Sequence, residues 1–284
     1  MSLLLREVVA ALERLYPPES AMSWDRVGLV TGDLDQPVRL VHLAVDPTIA
    51  VIEQAVAAGA DLLVTHHPLL LRGVHSVATT SAKGYAVTRA VVADLAVYCA
   101  HTNADVADPG VADALAQACG LGQTTALTAE EGAPLGRVGT LPEPLSLRSF
   151  AARLADALPA TAAGIRVGGD LDATVRRVAV LGGAGDALFA AVRAAGADVY
   201  VTADLRHHPA SEAREESRGG PPYLVDAGHW ASEWPWLASA RDRLLRALGE
   251  GGHDAGSVDI WISTLCTDPW DLVVGANARG GVPC

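Results

Sequence analysis

Two successive histidines, His66 and His67, close the apolar run Asp61-Leu-Leu-Val-Thr-His-His-Pro68. Imidazole is the commonest metal-ligating side chain. Consecutive side chains on a strand point to opposite faces, so two adjacent ligands either leave the strand at its end or serve two ions. Two other segments carry matching donors. Ala100-His101-Thr-Asn-Ala-Asp105 offers an imidazole and a carboxylate, and Asp226-Ala-Gly-His229-Trp-Ala-Ser-Glu233 offers another of each. His229 and Glu233 stand at i and i+4, so on a helix they share a face.

His66, His67, Asp105, His229 and Glu233 make five protein ligands, more than the three a catalytic mononuclear zinc site usually takes. They suit two cations with a shared carboxylate and a bridging water, an arrangement that lowers the pKa of that water and clamps both oxygens of a hydrolytic displacement. His101 is then either a sixth ligand or the base that relays a proton. Each segment also has a plainer reading: satisfied core histidines, a solvated H-x-x-x-E helix face, an aspartate capping the next helix. Their common position after strands favours the metal reading, because sites in open α/β sheets form outside the carboxyl ends of the strands. The expected reaction is hydrolysis, with water attacking a C–N bond (amide, amidine or ring) or a phosphoester. The competing class is a metal-binding scaffold or regulator without turnover. No Ser-His-Asp or Cys-His arrangement and no G-x-S-x-G competes.

The elements that must place these residues alternate in type. Residues 3–15, 48–58, 82–93 and 111–119 read as helices; 38–45, 61–65 and 96–100 read as strands. Continuous apolar strands between helices imply a mainly parallel, covered sheet. Shifting the chain by 137 residues lays Val38-Arg39-x-Val41 on Val175-Arg176-x-Val178, and Ala57-Ala-Gly-Ala-Asp61-x-x-Val-Thr65 on Ala194-Ala-Gly-Ala-Asp198-x-x-Val-Thr202. The constant offset predicts an internal duplication. The expected fold class is α/β: two related lobes with mainly parallel sheets and a dinuclear site in the cleft between them. The first lobe spans 1–128, the second 129–250 and a C-terminal tail 251–284, with the boundary in the Gly/Pro-bearing stretch 120–144. The second copy has Ala203-Asp204 where the first has His66-His67. The strand therefore does not need the histidines, which points to function.

The 284 residues are 50% hydrophobic, enough for a large core, and 33 acidic against 21 basic residues leave a net charge of -12. Without a basic run, nucleic acid is an unexpected partner, including for a DNA-associated ring. Four scattered cysteines form no C-x-x-C pair, which argues against a zinc ribbon or a disulfide framework. No apolar run reaches the ~18–20 residues of a membrane span, and the N-terminus does not read as a signal peptide; a cytoplasmic protein is expected. Leu181-Gly-Gly-Ala-Gly185-Asp186 reads as a tight βα turn in preference to a phosphate loop, lacking the full glycine spacing and a lysine. His207-His208-Pro209 reads as surface or as a support behind the ligands. Trp24-Asp25 reads as an anchor or as cleft lining, and Trp230, Trp234 and Trp236 as core packing beside the late ligands.

Ser23-Trp-Asp-Arg-Val-Gly-Leu29, Asp61-Leu-Leu-Val-Thr-His-His-Pro-Leu-Leu70, His101-Thr-Asn-Ala-Asp105 and Gly228-His-Trp-Ala-Ser-Glu233 together resemble the NIF3-like family, whose members are often labelled GTP cyclohydrolase 1 type 2 homologues. The resemblance spans about residues 3–248, and the tail Ser263-Thr-Leu-Cys-Thr-Asp-Pro-Trp270 is similar to that of some bacterial members. It implies two metal ions per chain on His66, His67, Asp105, His229 and Glu233. Zinc or iron comes first, and manganese or nickel also suits His/carboxylate donors. It also implies a cytoplasmic homohexameric toroid acting on a small-molecule substrate. Longer members carry an inserted middle domain that this chain is too short to hold.

Overall fold

The computed structural model describes residues 3–275. The end of the expected tail, 276–284, lies outside the described residues. The chain opens with helix α1 (Leu5–Leu15), then β1 (Gly28–Thr31), β2 (Leu40–Ala44), α2 (Ile49–Ala57), β3 (Leu62–Thr65), α3 (Ala82–Val92), β4 (Ala96–Cys99), α4 (Thr102–Asp105) and α5 (Val111–Ala118). Thr48 and Ser81 cap α2 and α3, accepting from Val51 N and Gly84 N. The second half supplies β5 (Thr124–Glu130), β6 (Ala133–Ser146), α6 (Leu147–Ala157), β7 (Arg166–Gly168), β8 (Thr174–Ala184), α7 (Phe189–Ala194), β9 (Val199–Ala203), α8 (His207–Glu216), β10 (Tyr223–Asp226), α9 (His229–Glu233), α10 (Trp236–Glu250) and β11 (Asp259–Ile262).

These strands build two sheets, ordered β1-β4-β3-β2-β11 and β5-β6-β8-β9-β10-β7. In the first, only β1 runs antiparallel to its neighbour, as expected of a parallel sheet. The second corrects that expectation: β8, β9 and β10 are parallel, while β5, β6 and β7 pair antiparallel. The cause is the stretch 120–144, which holds a β-hairpin. Glu131 and Gly132 both have positive φ (48° and 85°), the backbone of a two-residue primed turn that forces the strands to reverse. Glu-Gly is a weak turn signal beside Asn-Gly, and three prolines in β6 disguise the strand.

The offset of 137 residues has a structural counterpart. Asp61 Oδ2 accepts from the amides of Arg39 (2.7 Å) and Leu40 (3.0 Å); Asp198 Oδ2 accepts from those of Arg176 (2.8 Å) and Arg177 (2.7 Å). The strands also pair in the same register, Val41 with Leu62 and Val178 with Val199. The central strands β3, β4, β9 and β10 are buried throughout, so both sheets are covered on two faces. Late elements return to the first sheet: α10 packs on α1 through Leu237, Ala240 and Leu244 against Leu5, Val8 and Leu12, and β11 extends the sheet beside β2.

Candidate metal centre

The carboxyl ends of the parallel strands from the two sheets meet, and six side chains converge there. The β3 ladder continues through the amides of His66 and His67, which donate to Ala44 O (3.1 Å) and Val45 O (2.8 Å). Thr65 Oγ1 donates to His67 O at 2.8 Å and turns the chain away from the strand. His101 follows β4, and the single turn α4 carries Asp105 back toward His66. Gly228, at φ 78°, allows the sharp entry from β10 into α9, which presents His229 and Glu233 on one face.

Glu233 sits at the centre. Its Oε1 lies 3.1 Å from His229 Nε2 and 3.5 Å from His66 Nε2, and its Oε2 lies 3.2 Å from His67 Nε2. Asp105 Oδ1 approaches His66 Nε2 at 3.6 Å from the other side. The segments after β3 and β10, from different sheets, touch directly at His67 Nε2 and His229 Nε2, 3.2 Å apart. Ligand atoms within 4.8 Å of one another form two groups, His66/His67/His101 and His67/His229/Glu233, which share His67.

The remaining imidazole nitrogens are all held. His67 Nδ1 bonds Asp46 Oδ1 (2.7 Å), His229 Nδ1 bonds Asp204 Oδ2 (2.8 Å) and His101 Nδ1 bonds Asp25 Oδ1 (2.9 Å). His66 Nδ1 bonds Ala100 O at 3.0 Å. A carboxylate or carbonyl on Nδ1 selects the tautomer that leaves the Nε2 lone pair facing inward, as metal-ligating histidines require. Asp25 is itself fixed by the amide (3.0 Å) and hydroxyl (2.6 Å) of Thr102.

The electrostatics describe a negative centre that has gathered protons. Burial works against charge on His67 and His229, yet Glu233 and the carboxylates on their Nδ1 atoms push them up to about 10 and about 11. Burial likewise opposes charge on Glu233, but the three histidines hold it well below the usual carboxylate range. Asp105 is pushed up, first by burial and then by the Glu233 charge. Even so, His66 Nε2 and Glu233 Oε2 are buried without a hydrogen-bond partner. Two buried polar atoms left unpartnered where so many donors crowd one point suit divalent cations.

A cavity of about 2020 Å³ opens onto His229 and Asp204, with Arg166, Arg206, Asp268 and Trp270 among its walls. A family model described as Duf34/NIF3 (NGG1p interacting factor 3) matches residues 3–269. The chain belongs to the Duf34/NIF3 family. A Streptomyces coelicolor relative called GTP cyclohydrolase 1 type 2 homolog is 51% identical over 277 residues, covering 96% of this chain and 95% of the relative. A Mycobacterium bovis relative of the same name is 37% identical over an alignment of 381 residues, covering 96% of this chain and 98% of the relative. That alignment is longer than this Duf34/NIF3 chain, so the relative carries inserted residues. A Bacillus cereus structure described as related to NIF3 superimposes with a TM-score of 0.85 at 27% identity, covering 96% of this chain and all of that one.

Of the six residues singled out from the sequence of this Duf34/NIF3 protein, five fall in the two ligand groups, and Asp105 stands beside His66 but in neither group. His101 groups with His66 and His67, and Asp25 on its Nδ1 leaves Nε2 available either to a cation or to a proton. His207 and His208 meet edge to face at the start of α8 and belong to neither ligand group. Trp24 is half exposed with its ring edge toward His101, and Asp25 is buried beneath it. Trp236 is core, packed on Tyr16 and against the His66 ring, and Trp230 is buried with it.

Sequence reasoning missed Asp46, Asp204 and Gly183. The 137-residue offset lays Asp204 on His67 and Gly183 on Asp46, the one signal in the sequence that pointed to these positions. Gly182 and Gly183 are part of β8, not a turn, and they floor the site. A Cβ on Gly183 would stand 2.4 Å from Glu233 Oε1. Among the described residues no helix is long and apolar enough to cross a membrane.

Proposed function

We propose that this chain is a dinuclear metal-dependent hydrolase. The observation that carries the reading is the set of inward-facing donors, His66, His67, His101, His229, Asp105 and Glu233, with each histidine Nδ1 engaged, His67 common to the two ligand groups and Glu233 reaching across to His66. Zinc or iron is the first expectation, and manganese or nickel also suits the donors. When bound, two such cations supply Lewis acidity and activate water at neutral pH.

The residues divide the work by position. Glu233, reaching three histidine Nε2 atoms, would serve as a ligand to both cations. His66, Asp105 and His101 would hold one, and His67 and His229 the other. Asp25, Asp46 and Asp204 hold the imidazole tautomers. The cavity reaches the donor set at His229, which offers a small molecule a place beside it and favours turnover over a sealed storage or scaffold site. Scission of a C–N bond and of a phosphoester are both within this chemistry; the cyclohydrolase wording in the relatives' names favours the first. We read the two halves as products of duplication, their second copy having given up the histidine pair. The family resemblance further implies a cytoplasmic homohexamer, which light scattering on the purified protein tests.

Metal analysis after chelator-free purification is expected to give close to two ions per chain. Finding none would remove the site assignment. The metal-loaded protein, screened against nucleotides, cyclic amides and phosphodiesters, is expected to hydrolyse one class. Turnover unchanged in a metal-free preparation would reject the mechanism.

A further inference from the structure

The segment after β11 crosses the carboxyl end of the first sheet. β11 pairs in parallel with β2, from Asp259 beside Leu40 to Ile262 beside Leu43. Ser263 then anchors the chain three ways. Its amide donates to Leu43 O (2.8 Å), its hydroxyl donates to Gln54 Oε1 (2.7 Å), and its carbonyl accepts from Trp234 Nε1 (2.9 Å). The Leu265 amide donates back to Ser263 Oγ at 3.2 Å. These bonds direct the following residues over the end of β2, where Asp46 lies. There the Thr267 hydroxyl donates to Asp46 Oδ2.

Asp46 therefore has one partner on each oxygen: His67 Nδ1 on Oδ1 and the C-terminal segment on Oδ2. A carboxylate has a broad torsional well about its last bond. Held by one hydrogen bond it can turn; held at both oxygens it cannot. We propose that Thr267 is a positioning residue of the metal centre, fixing the Asp46 carboxylate so that Oδ1 keeps His67 in the Nδ1–H tautomer with Nε2 facing the ligand cluster. The inference rests on the metal reading above and adds to it a contact 221 residues distant in sequence. The next residue, Asp268, lies in the wall of the cavity that opens on Asp204 and His229. The segment thus runs between the orienting carboxylates of both lobes.

The test uses the full-length protein with zinc as probe, and the variants Thr267→Val, which keeps the shape and loses the hydroxyl, and Thr267→Ser, which keeps the hydroxyl. By chelator competition, Thr267→Val is expected to bind zinc about 10-fold more weakly, the lower end of the range for partners that orient a ligand. Thr267→Ser is expected to stay close to wild type. In cobalt-substituted protein the visible ligand-field bands should move in Thr267→Val and not in Thr267→Ser. Wild-type zinc affinity in Thr267→Val overturns the proposal, as does a lower melting temperature of the metal-free variant with unchanged zinc affinity, which would mark a purely structural contact. Absence of zinc binding by the wild-type protein is a different result: it removes the metal reading, and this proposal falls with it.

Discussion

Gly183→Ala puts a single methyl group under the centre of the site. The residue has φ 68°, and its Cβ would stand 2.4 Å from Glu233 Oε1 and 3.1 Å from His229 Nε2. Ordinary contact begins near 3.4 Å, so the Glu233 carboxylate must retreat by about 1 Å. It has little room, being fully buried among three histidines. The left-handed backbone costs about 1–2 kcal/mol in a residue with a side chain, and crowding a packed site adds about 1–3 kcal/mol. Gly196→Ala separates the two effects. Gly196 has φ 63°, but its Cβ would meet nothing within 4 Å. The expected result is a loss of about 2–5 kcal/mol for Gly183→Ala against about 1–2 kcal/mol for Gly196→Ala in denaturant unfolding of metal-free protein. Chelator competition should show zinc affinity reduced at least about 10-fold in Gly183→Ala only. If both variants lose the same stability and both bind zinc like wild type, the close packing of Gly183 on Glu233 is refuted.

Removing either orienting carboxylate should weaken metal binding by about 10–100-fold. Asp46→Ala should cost more than Asp204→Ala, because the Asp204 side chain is 57% exposed and the Asp46 side chain 26%; equal losses would contradict that ranking. Metal must displace the protons that His67 and His229 hold up to about 10 and about 11, so its affinity should rise with pH through the neutral range. Calorimetry near pH 8 in buffers of different ionisation enthalpy should detect roughly two or more protons released; none would oppose the assignment. In metal-free protein the same two groups stabilise the fold fully below their unfolded pKa of about 6.5, and that contribution is lost as pH rises through the folded values. Melting temperature should therefore fall on the alkaline side. Trp236→Ala, which empties a buried position against Tyr16 and His66, should cost about 3–5 kcal/mol and weaken metal binding together with stability.

Several features of the site were legible because they are local. A strand that ends in His-His, a second that ends before His-x-x-x-Asp and a third that ends before His-x-x-x-Glu place their donors by spacing alone. The strands β2, β3 and β4 and the helices between them follow from apolar runs and from caps such as Thr48 and Ser81. The hairpin β5–β6 was hidden because Glu131-Gly132 reaches its turn geometry through backbone dihedrals that composition signals weakly.

The sequence by itself determined the donor types, their place after strands and the 137-residue offset at which matching segments recur. Only the tertiary structure decided which donors come together and what holds them. His67 meets Asp46 across 21 residues, His101 meets Asp25 across 76 and His67 meets His229 across 162. An aspartate near a strand end is a helix cap, a surface charge or a histidine's anchor according to its neighbour. That neighbour is chosen when the two sheets pack and β11 carries Thr267 to Asp46. Spacing fixes what one element can offer; the meeting of separate elements depends on burial and chain path, which no local pattern encodes.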